Sequence, residues 1–217
     1  MSRPAVAVIV LAVTCLVPGV AGAAHKPGHG KTAITIEAEP NPIVYGKPVS
    51  LNGRVSNADE NGKDVVLQSD PAPFSHDGFT SVTHATASPT GAYILTDEPT
   101  RKTRYRVRQG KRTSPSVTVL VRLAVTLQAG DMTPERGQRV RLGGQVCPAH
   151  VGARVSVQRR RAGAWRTVAR TRVRSAKRCS RYAKRVRVTK DGKYRVVVAG
   201  DSDHARGISR VRSLDVR

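Results

Sequence analysis

Five short stretches of the chain carry residue types that could do chemistry. Ser75-His76-Asp77 contains the three types of a hydrolase triad. Residues adjacent on a loop do not easily set nucleophile, base and orienter in line, and no G-x-S-x-G elbow is present; no catalytic residue is expected. Asn57-Ala58-Asp59-Glu60-Asn61-Gly62 begins like a calcium loop, but its twelfth position is Gln68 instead of a bidentate Glu, so a polar hairpin turn is expected. Asp201-Ser202-Asp203-His204 reads as a solvated loop with at most a weak hold on a cation. His25 stands close to a candidate cleavage point, where a free amine beside an imidazole makes a copper site; no third ligand is evident downstream, and Ala24 to Gly30 reads equally as a flexible polar leader. The fifth stretch, residues 157 to 174, sets seven arginines around the single tryptophan, Trp165. Guanidinium forks suit phosphate and carboxylate, which makes Arg159, Arg160, Arg161, Arg166, Arg170, Arg172 and Arg174 candidate polyanion contacts. No cofactor motif accompanies them, and no cofactor is expected.

The compartment follows from the first residues. One arginine, an apolar run from Ala5 to about Val17 and the small residues Ala21-Gly22-Ala23 have the order of a cleaved secretory signal, and the run is too short for a membrane span. Residues 1–23 are expected to be the signal peptide, with Cys15 inside it, and 24–32 the leader. The exported remainder holds only Cys147 and Cys179, and oxidising surroundings make a disulfide their default state. No C-x-x-C or paired His spacing offers them a metal. No sorting motif follows Val216-Arg217, so the chain is expected to be released or held non-covalently.

Charge is unevenly spread. Residues 32 to 121 carry ten bases and nine acids, whereas residues 122 to 217 carry 25 bases and six acids. Nearly the whole excess of +23 therefore sits in the second half.

The two halves are copies of one unit. Val49-Ser50-Leu51-Asn52-Gly53-Arg54-Val55 matches Val140-Arg141-Leu142-Gly143-Gly144-Gln145-Val146; Val65-Val66-Leu67-Gln68 matches Val155-Ser156-Val157-Gln158; Phe79 and Val82 match Trp165 and Val168; Tyr105-Arg106-Val107 matches Tyr194-Arg195-Val196. The order is the same throughout, at offsets between 86 and 91 residues, the mark of a tandem repeat. Apolar residues alternate in runs of five to eight, with turn residues expected at Asn41-Pro42, Asn61-Gly62, Pro89-Thr90-Gly91, Gly143-Gly144 and Asp191-Gly192. In the first copy this predicts seven strands, over residues 33–38, 48–56, 64–69, 79–86, 92–96, 103–108 and 115–121. Two antiparallel sheets packed face to face bury that many half-apolar strands economically. An all-β chain of two tandem sandwiches is expected, over 33–121 and 122–217.

These motifs, with G-x-Y before the sixth strand and a Ser before the last, resemble the tandem bacterial Ig-like repeats of secreted and surface proteins of high-GC Gram-positive bacteria. Asp191-Gly192-Lys193-Tyr194 resembles the tyrosine corner of Ig domains. The resemblance implies a sandwich in which the strands ending at Cys147 and starting after Cys179 are neighbours. For function it implies only a stalk, adhesin, polymer binder or enzyme accessory.

Straight alternation from Trp165 predicts an inward face of Trp165, Thr167, Ala169, Thr171 and Val173. The outward face would then hold Arg166, Val168, Arg170, Arg172 and Arg174, with the hairpin turn at residues 159–164. Elsewhere Arg139 and Arg141 are expected outside Val140, Leu142 and Val146, and Arg185 and Arg187 outside Val186 and Val188. Trp165 is expected in the core, mirrored by Phe79. Codon bias would load both copies alike, so a basic copy beside a nearly neutral one points to a cationic surface for an anionic polymer: teichoic-type phosphate, lipid head groups or DNA. Sequence-specific reading of nucleic acid is not expected, for want of a recognition helix and of aromatics to stack on. The expectation is a secreted or envelope-associated, non-catalytic binding or adhesion module. A structural spacer without a polyanion ligand and a copper-binding sandwich using His25 are the alternatives.

Overall fold

In a computed structural model of the chain, described over residues 33–56, 62–74 and 78–217, every regular element is a strand. The first copy runs β1 (Glu37–Glu39), β2 (Ile43–Val44), β3 (Val49–Arg54), β4 (Asp64–Pro71), β5 (Thr80–Thr86), β6 (Ala92–Asp97), β7 (Thr103–Gln109), β8 (Arg112–Thr113), β9 (Val117–Val119) and β10 (Val121–Arg122). One sheet has the order β1-β3-β6; the other is β5-β4-β7, with β8 and β9 both on β7. The second copy runs β11 (Ala124–Val125), β12 (Gln128–Ala129), β13 (Arg139–Cys147), β14 (Arg154–Arg161), β15 (Ala164–Arg172), β16 (Ser180–Arg187), β17 (Gly192–Val198), β18 (Gly207–Ile208) and β19 (Arg212–Leu214). Its topology is the same: β11 and β12 on β13, which pairs with β16, against β15-β14-β17 with β18 and β19 on β17. This is the expected pair of β-sandwiches, antiparallel in every strand pair but the short parallel one of β10 with β2. Each has its own core, one from Ile34 to Val121 around Leu51, Leu67 and Tyr105, the other from Leu123 to Leu214 around Leu142, Val157 and Tyr194.

The first predicted strand is broken. Ile34 makes only an isolated bridge to Val55, and the chain pairs regularly from Glu37 until Pro40 and Pro42, which lack the N–H a ladder needs. The Asn41 side chain replaces the lost bonds, donating to Thr118 O and accepting from Leu120 N.

Gly143-Gly144 is not a turn. Both glycines lie inside β13, and packing explains their presence. A Cβ on Gly144 would stand 2.0 Å from Thr126 O, and one on Gly53 equally close to Thr35 O. The same two carbonyls accept the hydroxyls of Tyr182 and Tyr93, both buried. Each copy thus closes its first sheet by pressing a backbone carbonyl onto a glycine beneath a tyrosine. A second repeated device fixes the other sheet: Ser114 Oγ accepts from Val107 N, and Ser209 Oγ accepts from Val196 N, both at 2.9 Å.

Cys147 ends β13, Cys179 precedes β16, and the two are disulfide-bonded. The bridge ties neighbouring strands across a separation of 32 residues, which the chain-entropy account converts to about 3.7 kcal/mol.

Two outcomes follow. Gly144→Ala is expected to destabilise the second sandwich by several kcal/mol, because the clash is with backbone, and Gly53→Ala the first; thermal denaturation followed by circular dichroism reads both, and an unshifted midpoint in either variant counts against the packing. A Cys147→Ser/Cys179→Ser double variant loses about 3 to 4 kcal/mol in urea unfolding, and a difference under about 1 kcal/mol contradicts the entropic account.

Candidate polyanion-binding face

The arginine stretch forms the hairpin β14-β15, but its turn is only two residues long. Arg161 pairs with Ala164, leaving Ala162-Gly163 at φ of 46° and 78°, the doubly left-handed turn that matches the twist of two strands. Arg159, Arg160 and Arg161, expected in the turn, are strand residues. Alanine in the left-handed region costs about 1 kcal/mol.

A β-bulge then divides the stretch. Val157 pairs with Ala169 and Gln158 with Thr167, so Val168 is the extra residue. Counting alternation straight through Val168 therefore assigns the wrong side to everything between it and the turn. Ala169, Thr171 and Val173 face the core as expected, and Val168 packs partly against it too. Trp165 and Thr167 share the outer face with Arg160 and Gln158, while Arg166 lies opposite Arg159 on the inner side of the hairpin tip.

Trp165 is thus not a core residue. Its ring packs against the Arg195 guanidinium, 4.3 Å from the ring centroid, while Arg195 Nε donates to Gln158 Oε1 at 2.8 Å. The first copy repeats the arrangement with Phe79, Arg106 and Gln68, at 4.1 and 2.8 Å, and repeats the bulge between Leu67 and Gln68. Being common to both copies, the stack is part of the sheet's own architecture.

The bulge aligns the two outer faces residue by residue and shows where the charge was added. Asp64, opposite Thr86, corresponds to Arg154, opposite Arg172; His84 corresponds to Arg170, and Asp70 to Arg160. In the first copy Asp70 is buried and ion-paired with Arg104, whose Nε donates at 3.1 Å. In the second, arginine meets arginine: Arg154 opposite Arg172, Arg159 opposite Arg166, and on the other sheet Arg139 opposite Arg187 and Arg141 opposite Arg185. All six acids of this copy, Asp131, Glu135, Asp191, Asp201, Asp203 and Asp215, lie outside its strands.

The seven candidate arginines do not form one patch. Arg170 and Arg172 stand with Arg154 and Arg206 around a shallow concavity floored by Ser156, Val197 and Ala199, with four guanidiniums and no carboxylate in its lining. Arg172 donates to Gly152 O at 2.9 Å. Partial burial, then the neighbouring Arg206 charge, press the Arg195 guanidinium below its ordinary value. Arg160 continues this face toward the turn. Arg159 is structural: it reaches down over Gly192, donating to the carbonyls of Lys190 and Asp191 at 3.0 and 2.6 Å. Arg161 and Arg166 share its side of the hairpin. Arg174 bridges to Arg181 and lines, with Arg141, a second concavity on the opposite sheet.

Arg154 and Arg206 were missed because they lie outside the arginine-dense stretch. The hairpin register identifies Arg154 as the partner of Arg172 once the bulge is recognised, and the doublet Val168-Ala169 was its signal. Nothing local in the sequence points to Arg206. The triad-like Ser75-His76-Asp77, the calcium-like residues 57–61, the signal peptide and His25 lie outside the described residues. Metal-ligating types converge elsewhere, at His150, Asp201 and His204.

Like charges directly opposite in a ladder oppose folding by some tenths of a kcal/mol to about 1. Arg154→Asp, which installs the residue of the first copy, is therefore expected to raise the melting temperature at low ionic strength. The gain should shrink in high salt as screening shortens. A variant that melts lower at low salt would show that the rows are not in repulsion.

No protein-family model matches the chain, and no curated protein matches it. Among solved structures the chain is similar to a marsupial T cell receptor (12% identity over 85% of this chain and 72% of that chain, TM-score 0.35). It is also similar to the D0-D1 domain of intimin (10% identity, 84% and 98%, TM-score 0.31) and to the I9-I11 tandem of titin (12%, 84% and 66%, TM-score 0.28). The assignment of the fold rests on the strand order and the two cores of the chain itself.

Proposed function

We propose that the protein is an exported, non-catalytic module of the cell envelope, whose second sandwich docks onto an anionic polymer through the outer face of β14, β15 and β17. The observation that carries this reading is the set Arg154, Arg170, Arg172 and Arg206 around one concavity without an acid, at positions where the first copy has Asp64, His84 and Thr86 for the first three. A scaffold repeated down to its bulge and its Gln-Arg-aromatic stack needs no arginine there to fold. Four guanidiniums in each other's field gain most from a ligand with spaced negative charges, such as teichoic-type phosphate, lipid head groups or DNA backbone, because each charge bound also relieves repulsion. The first sandwich, nearly neutral in charge, serves as spacer or second contact. Among the described residues no helix is long and apolar enough to cross a membrane.

Binding of the mature protein to isolated Gram-positive cell walls and to inorganic polyphosphate tests the proposal. Four phosphate contacts predict a log–log salt slope of about −3. The triple variant Arg154→Asp/Arg170→His/Arg172→Thr is expected to lose binding more than tenfold while keeping its circular dichroism spectrum. Binding that ignores salt, or survives in the triple variant, would overturn it.

A further inference from the structure

The 199–206 loop folds back on itself more tightly than a solvated loop. Asp201 Oδ1 accepts the N–H groups of Asp203 and His204 at 2.9 and 2.7 Å, and Asp201 N donates to His204 O at 3.0 Å. His204 is thereby buried to 8% exposure, its ring edge-on to that of His150 with centroids 4.8 Å apart. His150 comes from the segment just after the disulfide, and its N–H donates to Ser180 Oγ at 2.7 Å.

Each imidazole has one nitrogen against a carbonyl. His150 Nδ1 lies 3.1 Å from Pro148 O, and His204 Nε2 lies 2.9 Å from Thr100 O. A carbonyl only accepts, so His204 Nε2 carries a proton, and in the neutral ring the lone pair of His204 is on Nδ1. His150 faces two acceptors, Pro148 O through Nδ1 and Asp201 Oδ2 through Nε2, and a metal would take the ring with its proton on Nδ1. Both of the other ring nitrogens lie against the Asp201 carboxylate: His150 Nε2 is hydrogen-bonded to Oδ2 at 2.8 Å, and His204 Nδ1 is 3.4 Å from Oδ1. All three ligand atoms lie within 4.8 Å of one another. His204 Nδ1 is buried with no hydrogen-bond partner. Burial raises the Asp201 carboxyl, but the N–H groups of His204 and Asp203 and the hydrogen bond and charge of the His150 ring outweigh it and hold it below the ordinary carboxylate value. The buried lone pair of His204 Nδ1 thus stands beside a carboxylate and a second imidazole nitrogen with no proton of its own to share.

We propose that His150, Asp201 and His204 form a binding site for a divalent transition-metal ion of the zinc or copper type. Nitrogen and oxygen ligands about 2.0 to 2.1 Å from one ion stand about 2.9 to 3.4 Å apart at angles near 90 to 110°, close to the two separations from Asp201. Two imidazoles and one carboxylate suit zinc and copper and disfavour calcium and magnesium, which take oxygen ligands. The carbonyls of Pro148 and Thr100 supply the outer hydrogen bonds that fix tautomer and ring orientation at such centres. The side chain of Asp201 is 47% exposed, which leaves water room to complete the coordination. Through the His204 Nε2–H bond to Thr100, and the contacts Lys102 N to Asp203 O and Ala205 N to Val121 O, the ion would clamp the disulfide segment and the 199–206 loop of the second sandwich to the first sandwich.

Isothermal titration of the mature, disulfide-intact protein with zinc and copper(II) chlorides, with cobalt(II) absorption as a report on nitrogen ligation, tests this. One ion per chain is expected, raising the melting temperature. His150→Gln or Asp201→Asn should weaken binding about 100-fold or more and abolish the thermal shift and the cobalt band; Asp201 is the exposed member of the cluster and Asn keeps an oxygen for the two loop N–H groups, which keeps the test open if a histidine variant misfolds. A His25→Ala/His29→Ala variant should keep all three signals. Failure to bind zinc or copper, or binding that survives His150→Gln and is lost with the leader histidines, overturns the proposal.

Discussion

One extra residue, Val168, decides which side of the sheet each neighbouring side chain takes. Between Val157 and Gln158 the ladder gains a residue on β15 and the alternation reverses. Turnward of that point, Trp165 moves out onto Arg195 and Arg166 moves to the inner side; beyond it, Arg170 and Arg172 keep the outer face they share with Arg154. The first copy has the same irregularity at Leu67 and Gln68. The bulge belongs to the scaffold, and the arginines are an addition to it.

The two sandwiches hold together by one set of contacts and differ in what those contacts present. Glycine under a tyrosine hydroxyl, serine bonded to the strand after it folds back, and glutamine gripping an arginine that stacks on an aromatic recur in both. Packing and hydrogen bonds of this kind are short-ranged, so the outer positions can change charge without disturbing them. In the first copy those positions are mixed: Asp70 pairs with Arg104, and Asp64 accepts from the Thr86 hydroxyl. In the second they repel, and the energy is tolerated because exposed guanidiniums on long stems keep their hydration.

The joint between the copies obeys a different constraint. Val121 belongs to the first core and Leu123 to the second, which leaves Arg122 alone as the connection. The 199–206 loop compensates: Arg122 bridges to Ala205, Leu123 N donates to Ala205 O, and Lys102 N donates to Asp203 O. His204 is buried because the loop must reach Thr100, and that reach brings its free nitrogen to Asp201 and His150.

The sequence by itself determined the strands, the repeat, the disulfide and the imbalance of charge. Alternation, turn residues, cysteine count and composition are local or additive properties, and the chain keeps them wherever it folds. It misplaced Gly143-Gly144 as a turn, because a glycine required by a carbonyl 18 residues away looks the same as one required by a tight bend. It misplaced Trp165, because a period of two holds only until an unpaired residue interrupts it. Arg206 joins Arg154, Arg170 and Arg172, and His150 joins Asp201 and His204, across 34 to 54 residues of chain. Sheet pairing and the fold of one loop made those meetings, and no pattern of neighbours in sequence encodes them.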